Sequence, residues 1–212
     1  MIRLMLDDQF ETMPWDEIDA VVFDVGNVLL TWTPGEILSR LIPERPDLYE
    51  ELTIRIFKTP YWCMRDRGTI TLEEAISAMS ANAPELTPYV RRVMEGWIDI
   101  PEIPEGVEAV HTCKAHGKKI YALTNYADEP FAHACATHAF FDLFDGFICS
   151  GRENLLKPGL EIYATLIQRF ALDPARTLFI DDTPGNIEAA LESGWQGLCY
   201  NREGKLQNFF AK

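Results

Sequence analysis

The chain has 212 residues, with 19 Lys and Arg against 33 Asp and Glu, and carries a formal net charge of −14. With 47% hydrophobic and 25% charged residues it has enough apolar material for a packed core and is too balanced for intrinsic disorder, so one large domain or a core with an insert is expected. The acid excess argues strongly against a duplex nucleic acid partner, since phosphate backbones are held by clustered Lys and Arg; any anionic ligand must be small and locally compensated.

Residues 1–10 hold a short apolar run that meets Asp7 and Asp8 at once, which predicts no signal-peptide core, and no later run approaches membrane-spanning length. Asp19 to Asp24 is an apolar, β-branched run stopping at an acid and followed by Gly26 and Asn27, the pattern of a buried strand ending in a tight loop. From 31 to 111 the pattern turns helical, with segments such as Asp47–Phe57 and Thr71–Met79 punctuated by prolines, and reads as a helical insert. Thr71 and Glu74 form a capping-box signature in which each side chain satisfies an otherwise unpaired backbone N–H. Strands and helices alternate after Lys118. Strands are expected over Lys119–Leu123, Gly146–Cys149, Thr177–Ile180 and Gly197–Tyr200, and helices over Glu129–His138, Pro158–Phe170 and Gly185–Glu192, the second with Pro158 at its first position. That alternation implies a parallel sheet with helices on both faces and a ligand site at the carboxyl ends of the strands. Cys63, Cys113, Cys135, Cys149 and Cys199 are odd in number, scattered and without a C-x-x-C pair, which fits a reducing cytoplasm.

The strand-end rule collects a polar set: Asp24 at one end, Thr124 and Asn125 at a second, Asp181 and Asp182 at a third, with Lys157 just before an expected helix. Any one such Asp is most simply a helix cap. Three carboxylates converging on one crevice repel unless a cation or proton compensates them, and hard oxygen ligands suit Mg²⁺. Such a site could neutralise a phosphoryl group while one carboxylate attacks phosphorus and hydroxyl, amide and Lys donors hold the other oxygens.

Four segments in order carry a family resemblance: Phe23-Asp-Val-Gly-Asn-Val28, Leu123-Thr-Asn125, Lys157-Pro158 and Phe179-Ile-Asp-Asp-Thr-Pro-Gly-Asn186. In these the sequence resembles the haloacid dehalogenase superfamily, within it the phosphatase-like branch with a small helical cap. The resemblance implies a three-layer α/β, Rossmann-like core over 1–30 and 112–212 with an all-helical cap over 31–111. It further implies a Mg²⁺-dependent phosphatase acting on a small phosphorylated metabolite, such as a sugar phosphate, with no nucleic acid or membrane partner. Asp24 would be nucleophile and metal ligand, the Gly26 carbonyl a second ligand, and Asp182 a direct ligand with Asp181 in support. Thr124, Asn125 and Lys157 would bind the phosphoryl oxygens, Lys157 pairing also with Asp24.

One position departs from most phosphatases of that superfamily. Two residues after the nucleophile they carry an acid/base Asp, whereas this chain has Gly26; loss of a general acid slows a reaction by roughly 10²- to 10⁴-fold. A leaving group needing little help, a replacement acid, slow turnover or a lost activity would each account for it. The rival readings are a 2-haloacid dehalogenase, which attacks carbon without metal, and a phosphate-binding module without turnover. An intact Asp181-Asp182 pair disfavours the dehalogenase, because the pair is needless repulsion without a cation.

Substrate recognition is expected on the insert, where Trp62 could stack on a sugar or base and Arg65 or Arg67 hold a second anion; hinge packing and surface charge are the equal alternatives, and Arg152 shares that ambiguity. His111, Cys113 and His116 lack a fourth ligand for zinc. His133 and His138, five apart on a helix, splay and fit a packed or solvated role. Tyr121, Phe131, Phe140, Phe141, Phe144 and Phe147 read as core.

Overall fold

In the computed structural model, residues 4–5 and 15–200 are described. The outer parts of the expected core segments, 1–3, 6–14 and 201–212, lie outside the described residues, as does most of the stretch read for a leader. Among the described residues no helix is long and apolar enough to cross a membrane.

Six strands form one sheet: β1 (Leu4–Met5), β2 (Ala20–Phe23), β3 (Lys119–Thr124), β4 (Gly146–Cys149), β5 (Thr177–Asp181) and β6 (Gln196–Cys199). Their order is β1-β6-β5-β2-β3-β4, and every pairing is parallel. β2 is central, with Phe23 opposite Ala122 of β3 and Ile180 of β5, so the residues that follow all three strands emerge side by side. All four β2 residues are buried, as a central strand covered on both faces requires. Alternation then divides the core. Val21 and Phe23 join one hydrophobic cluster with Ile120, Ala122, Leu178 and Ile180, while Ala20 and Val22 join a second with Leu123 and Phe179.

Between β2 and β3 lie α1 (Pro34–Leu41), α2 (Tyr49–Leu52), α3 (Pro60–Asp66), α4 (Leu72–Ser80), α5 (Thr87–Gly96) and α6 (Pro104–Ala115). The prolines that punctuate the insert start helices rather than break them: Pro34, Pro60 and Pro104 each occupy a first-turn position, where the missing N–H is not needed. α2 runs on into a π-helical turn at Thr53–Phe57, so the expected 47–57 helix is present but irregular. The Thr71 capping box forms in full, with Glu74 N donating to Thr71 Oγ1 at 3.2 Å and Thr71 N donating to Glu74 Oε2 at 2.8 Å. Ile37, Leu38, Leu52, Ile56, Val90 and Val93 are buried among these helices, and α6 packs against β3.

After β3 come α7 (Asp128–Thr137), α8 (Ser150–Glu153), α9 (Leu160–Phe170) and α10 (Pro184–Glu192), with α9 and α10 covering the second face of the sheet. One expected boundary is corrected. Pro158 does not open a helix: Leu156–Gly159 is a turn closed by Gly159 N donating to Leu156 O at 2.9 Å, with a cis Lys157–Pro158 bond, and α9 begins at Leu160. Lys157 is thereby placed on a tight turn that projects its side chain under the sheet ends.

The insert is seated on the core by backbone as well as side chains. Gly68, at φ +76°, lies against Gly151, and a Cβ there would collide with the Gly151 carbonyl oxygen. Ser150 Oγ donates to Asp66 O at 2.6 Å beside it. Gly68→Ala is expected to destabilise the protein by about 1–3 kcal/mol, since both the left-handed backbone and the close approach oppose a methyl group; a lowered urea midpoint with unchanged slope checks this.

Candidate active site

The ladder that carries β2 between its neighbours extends to Asp24, whose N–H donates to Ile180 O at 2.8 Å. The Asp24 carboxylate is thus fixed at the sheet's carboxyl edge, only 11% exposed. Its Oδ1 accepts from Val25 N at 2.7 Å and meets Lys157 Nζ at 2.9 Å, which leaves Oδ2 for chemistry. Lys157 Nζ also donates to Asp181 Oδ2 at 2.7 Å, so one ammonium bridges two carboxylates from two strands. The stem of Lys157 is held independently: its main chain is clamped by Asn125, with Lys157 N donating to Oδ1 at 2.9 Å and Nδ2 donating to Lys157 O at 3.0 Å.

The adjacent acids have different surroundings. Asp181 is fully buried and saturated by Lys157, by Thr183 N at 2.8 Å and by Asn186 Nδ2 at 3.0 Å from both oxygens. Asp182 is half-buried and, among the described residues, its carboxylate meets Thr183 Oγ1 at 3.3 Å and the Asn27 side chain. Asn27 reaches it from a left-handed backbone (φ 58°), a conformation Asn tolerates, with its Oδ1 accepting from Trp32 N at 3.1 Å.

Oxygens of Asp24, Asp181 and Asp182 all lie within 4.8 Å of one another. Burial first, then the charges of Asp181 and Asp182, push the Asp24 carboxyl up to about 7 against the pull of Lys157; burial and Asp181 likewise raise Asp182. Burial alone would lower the Lys157 ammonium, but the two carboxylates outweigh it and keep it charged. Three carboxylates against one ammonium leave a local surplus of negative charge, and the donors are hard oxygens with Asp182 open to the cavity. That set fits a small divalent cation. Among the described residues it is the one cluster of three or more His, Cys, Asp or Glu groups close enough to share a metal.

A cavity of about 270 Å³ opens over this floor, where Asp24, Gly26, Thr124 and Lys157 face Trp62, Asp66 and Trp97 of the insert. Trp62 and Asp66 come from α3, and Trp97 follows α5. Trp62, Asp66 and Trp97 also wall a second, neighbouring cavity of about 280 Å³, lined further by Leu72, Met94, Ile98 and Pro130. Trp62 packs on Trp97 (ring centroids 5.3 Å) and Trp97 on Tyr126 (5.3 Å). Tyr126 is 4% exposed, and its hydroxyl has no hydrogen-bond partner among the described residues.

A family model of haloacid dehalogenase-like hydrolases matches residues 18–194, most of the chain. The chain belongs to the haloacid dehalogenase-like hydrolase family. Among its relatives, the sesquiterpene phosphatase astK of Aspergillus oryzae is 28% identical over 185 residues, 84% of this chain and 88% of that protein. The fold matches a haloacid dehalogenase family enzyme of Bacteroides thetaiotaomicron in complex with magnesium and inorganic phosphate, at TM-score 0.70 and 18% identity over 88% of this chain and 96% of that one. It also matches an L-2-haloacid dehalogenase of Xanthobacter autotrophicus with chloropropionic acid covalently bound, at TM-score 0.66 and 17% identity over 85% and 76%.

In this hydrolase the residues singled out at strand ends, Asp24, Thr124, Asn125, Lys157, Asp181 and Asp182, come together, with Gly26 on the same rim. Asn125 is spent largely on holding Lys157. Other expectations separate: Arg65 pairs with Glu129 of α7 at 2.7 Å, Arg67 is exposed outside both cavities, and Arg152 is bonded to Asp128. Cys113 is buried with its thiol pushed up to about 12 by burial, and no zinc group forms at 111–116; His133 and His138 pair instead with Asp99 and Glu102 at 2.8 and 2.9 Å. Sequence reasoning missed Asp66, Trp97, Tyr126 and the structural part of Asn186, the last readable only as a side chain one helical turn beyond Asp182.

Lys157→Met removes the cation that pairs with Asp24 and Asp181 and is expected to destabilise the chelator-treated protein by about 3–5 kcal/mol. The pH dependence has a definite sign. The folded Asp24 holds its proton to about 7 and the unfolded group to near 3.8, so metal-free stability falls as pH rises through that window, more steeply in Lys157→Met. Urea unfolding in EDTA across pH 4 to 8 is the measurement.

Proposed function

We propose that the protein is a Mg²⁺-dependent phosphatase that hydrolyses a small phosphate monoester through an aspartyl-phosphate on Asp24. The observation that carries this reading is the Lys157 ammonium bridged between Asp24 and Asp181, beside a half-buried Asp182, on the floor of a cavity of about 270 Å³. Asp24, the Gly26 carbonyl and Asp182 would hold the cation with Asp181 supporting from beneath, since Asp181 has its lone pairs engaged. When bound, Mg²⁺ supplies charge neutralisation for the phosphoryl group. With Oδ1 held by Lys157 and Val25 N–H, Oδ2 of Asp24 attacks phosphorus in line; Thr124 and Lys157 hold the nonbridging oxygens, with the Asn125 clamp positioning Lys157. Water then cleaves the aspartyl-phosphate and releases inorganic phosphate.

The apolar walls of the neighbouring cavity, which shares Trp62, Asp66 and Trp97 with the one over Asp24, favour an ester with an apolar body over a polyhydroxylated sugar. Trp62, Trp97, Leu72, Met94 and Ile98 offer hydrocarbon and aromatic surface, and their area removed from water would favour a hydrocarbon at roughly 25 cal/mol per Å². A relative named as a sesquiterpene phosphatase supports phosphate chemistry on an apolar compound. The segment 31–111 acts as the cap that brings these walls to the core segments 1–30 and 112–212. Five unbridged cysteines support a cytoplasmic, reducing setting.

Purified protein with Mg²⁺ is expected to release phosphate from p-nitrophenyl phosphate and faster from prenyl or alkyl monophosphates than from glucose phosphates. EDTA and Asp24→Asn should each abolish release. Activity indifferent to Asp24→Asn, or halide release from 2-chloropropionate without metal, would sink the reading and favour the dehalogenase.

A further inference from the structure

The phosphatase reading leaves a proton unaccounted for, and the structure offers a group to carry it. Gly26 holds the place where an acid would follow the nucleophile by two residues, and it is not glycine for lack of room: a Cβ there would meet only Trp32 Cβ, at 3.9 Å. The acid must then come from another wall. The carboxyls lining the catalytic cavity are Asp24, Asp182 and Asp66. The first two belong to the nucleophile and cation set. Asp66 stands on α3 and lines the same cavity as Asp24, and at about 270 Å³ that cavity is small enough for a phosphate ester filling it to lie against both.

We propose that Asp66 is the acid/base of this hydrolase, donating a proton to the leaving oxygen and later taking one from the attacking water. The proposal rests on the phosphatase reading of the same site. In the first half-reaction the Asp24 Oδ2–phosphorus bond forms as the phosphorus–leaving-oxygen bond breaks, and the Asp66 proton passes to that oxygen, giving a neutral alcohol. In the second, water attacks phosphorus, Asp66 carboxylate takes its proton, the Asp24–phosphorus bond breaks, and inorganic phosphate leaves with both carboxyls restored.

The surroundings suit the role. The Trp62 side chain and Ala127 N–H donate to the Asp66 carboxyl and fix its direction, and Ser150 holds its backbone carbonyl. Burial pushes its ionisation up to about 8, opposed mainly by Arg65, so the group enters the reaction protonated. The other charged or titratable groups around it are few. Arg65, on its own helix, is engaged by Glu129 of α7; Glu95 of α5 lines the neighbouring cavity; Arg152 of α8 is turned to Asp128; and Tyr126, whose own ionisation is raised by burial and then by Asp66, lines the same cavity as Asp66 and Asp24.

The test compares two esters of similar shape in the full-length enzyme with Mg²⁺: phenyl phosphate, whose leaving group has a pKa of about 10, and p-nitrophenyl phosphate, whose leaving group is far more acidic and needs no donor. Asp66→Asn is expected to lower kcat/KM for phenyl phosphate by roughly 10²-fold or more and for p-nitrophenyl phosphate by about tenfold or less. It should also give a p-nitrophenol burst equal to the enzyme concentration, as the phosphoenzyme waits for a base. Gly26→Asp in the same background should recover part of the phenyl phosphate rate. A merely structural Asp66 would lower both esters alike, with no burst, and that result overturns the proposal, as does a variant equal to wild type. If Asp66→Asn does not fold, the unsubstituted enzyme decides: kcat/KM for phenyl phosphate should fall above about pH 8 while that for p-nitrophenyl phosphate does not, and parallel profiles overturn the assignment. The two failures separate cleanly. An active wild type silenced by Asp24→Asn but blind to Asp66→Asn overturns the Asp66 role alone; a wild type silent on every ester overturns both.

Discussion

One ammonium group organises this molecule. Lys157, with 1% of its side chain exposed, neutralises Asp24 and Asp181 at the ends of two adjacent strands. Without it two buried like charges would sit beside each other, an arrangement whose desolvation cost runs to several kcal/mol per ion. The rest of the site is built to keep that nitrogen in place: Asn125, at the end of a third strand, ties down its main chain, and the Phe179 ring lies 5.2 Å from the ammonium. The central position of β2 is what lets three strand ends serve a single lysine.

Division of labour between Asp181 and Asp182 follows from the same constraint. A carboxylate bound to Lys157, Asn186 and a backbone N–H is part of the scaffold, whereas its half-buried neighbour keeps lone pairs for a ligand. The global charge of −14 and the local site thus obey different rules. Long-range repulsion of anions is set by the whole surface and is screened within about 8–10 Å in salt; capture is set by groups a few ångströms apart.

The sheet, its parallel order and the set of strand-end polar residues were legible because buried parallel strands read as continuous apolar runs with an acid or hydroxyl at the exit, as at Val21 to Asp24 and Leu178 to Asp182. Local helix chemistry was legible too, in the Thr71 box. What sequence did not reveal depends on approach between distant segments. Asp66 looks like any surface acid between two arginines; only the packing of α3 over the core, with Gly68 against Gly151, buries it at the cavity. Arg65 and Arg67 are two residues apart and equivalent by composition, yet helical geometry turns one to Glu129 and the other to solvent. Pro158 misled for a local reason, since proline serves a turn as readily as a helix start.

Trp32, Trp62 and Trp97, three of the five tryptophans, pack in succession along the cavity over Asp24, with centroids 5.8 and 5.3 Å apart, and continue through Tyr126 to Phe131. Indoles this close share their excited states, and each reports on the polarity of its neighbours. The intrinsic fluorescence and near-ultraviolet dichroism of the protein therefore carry a contribution from the wall of this cavity, which gives the enzyme a built-in optical signal for what enters it.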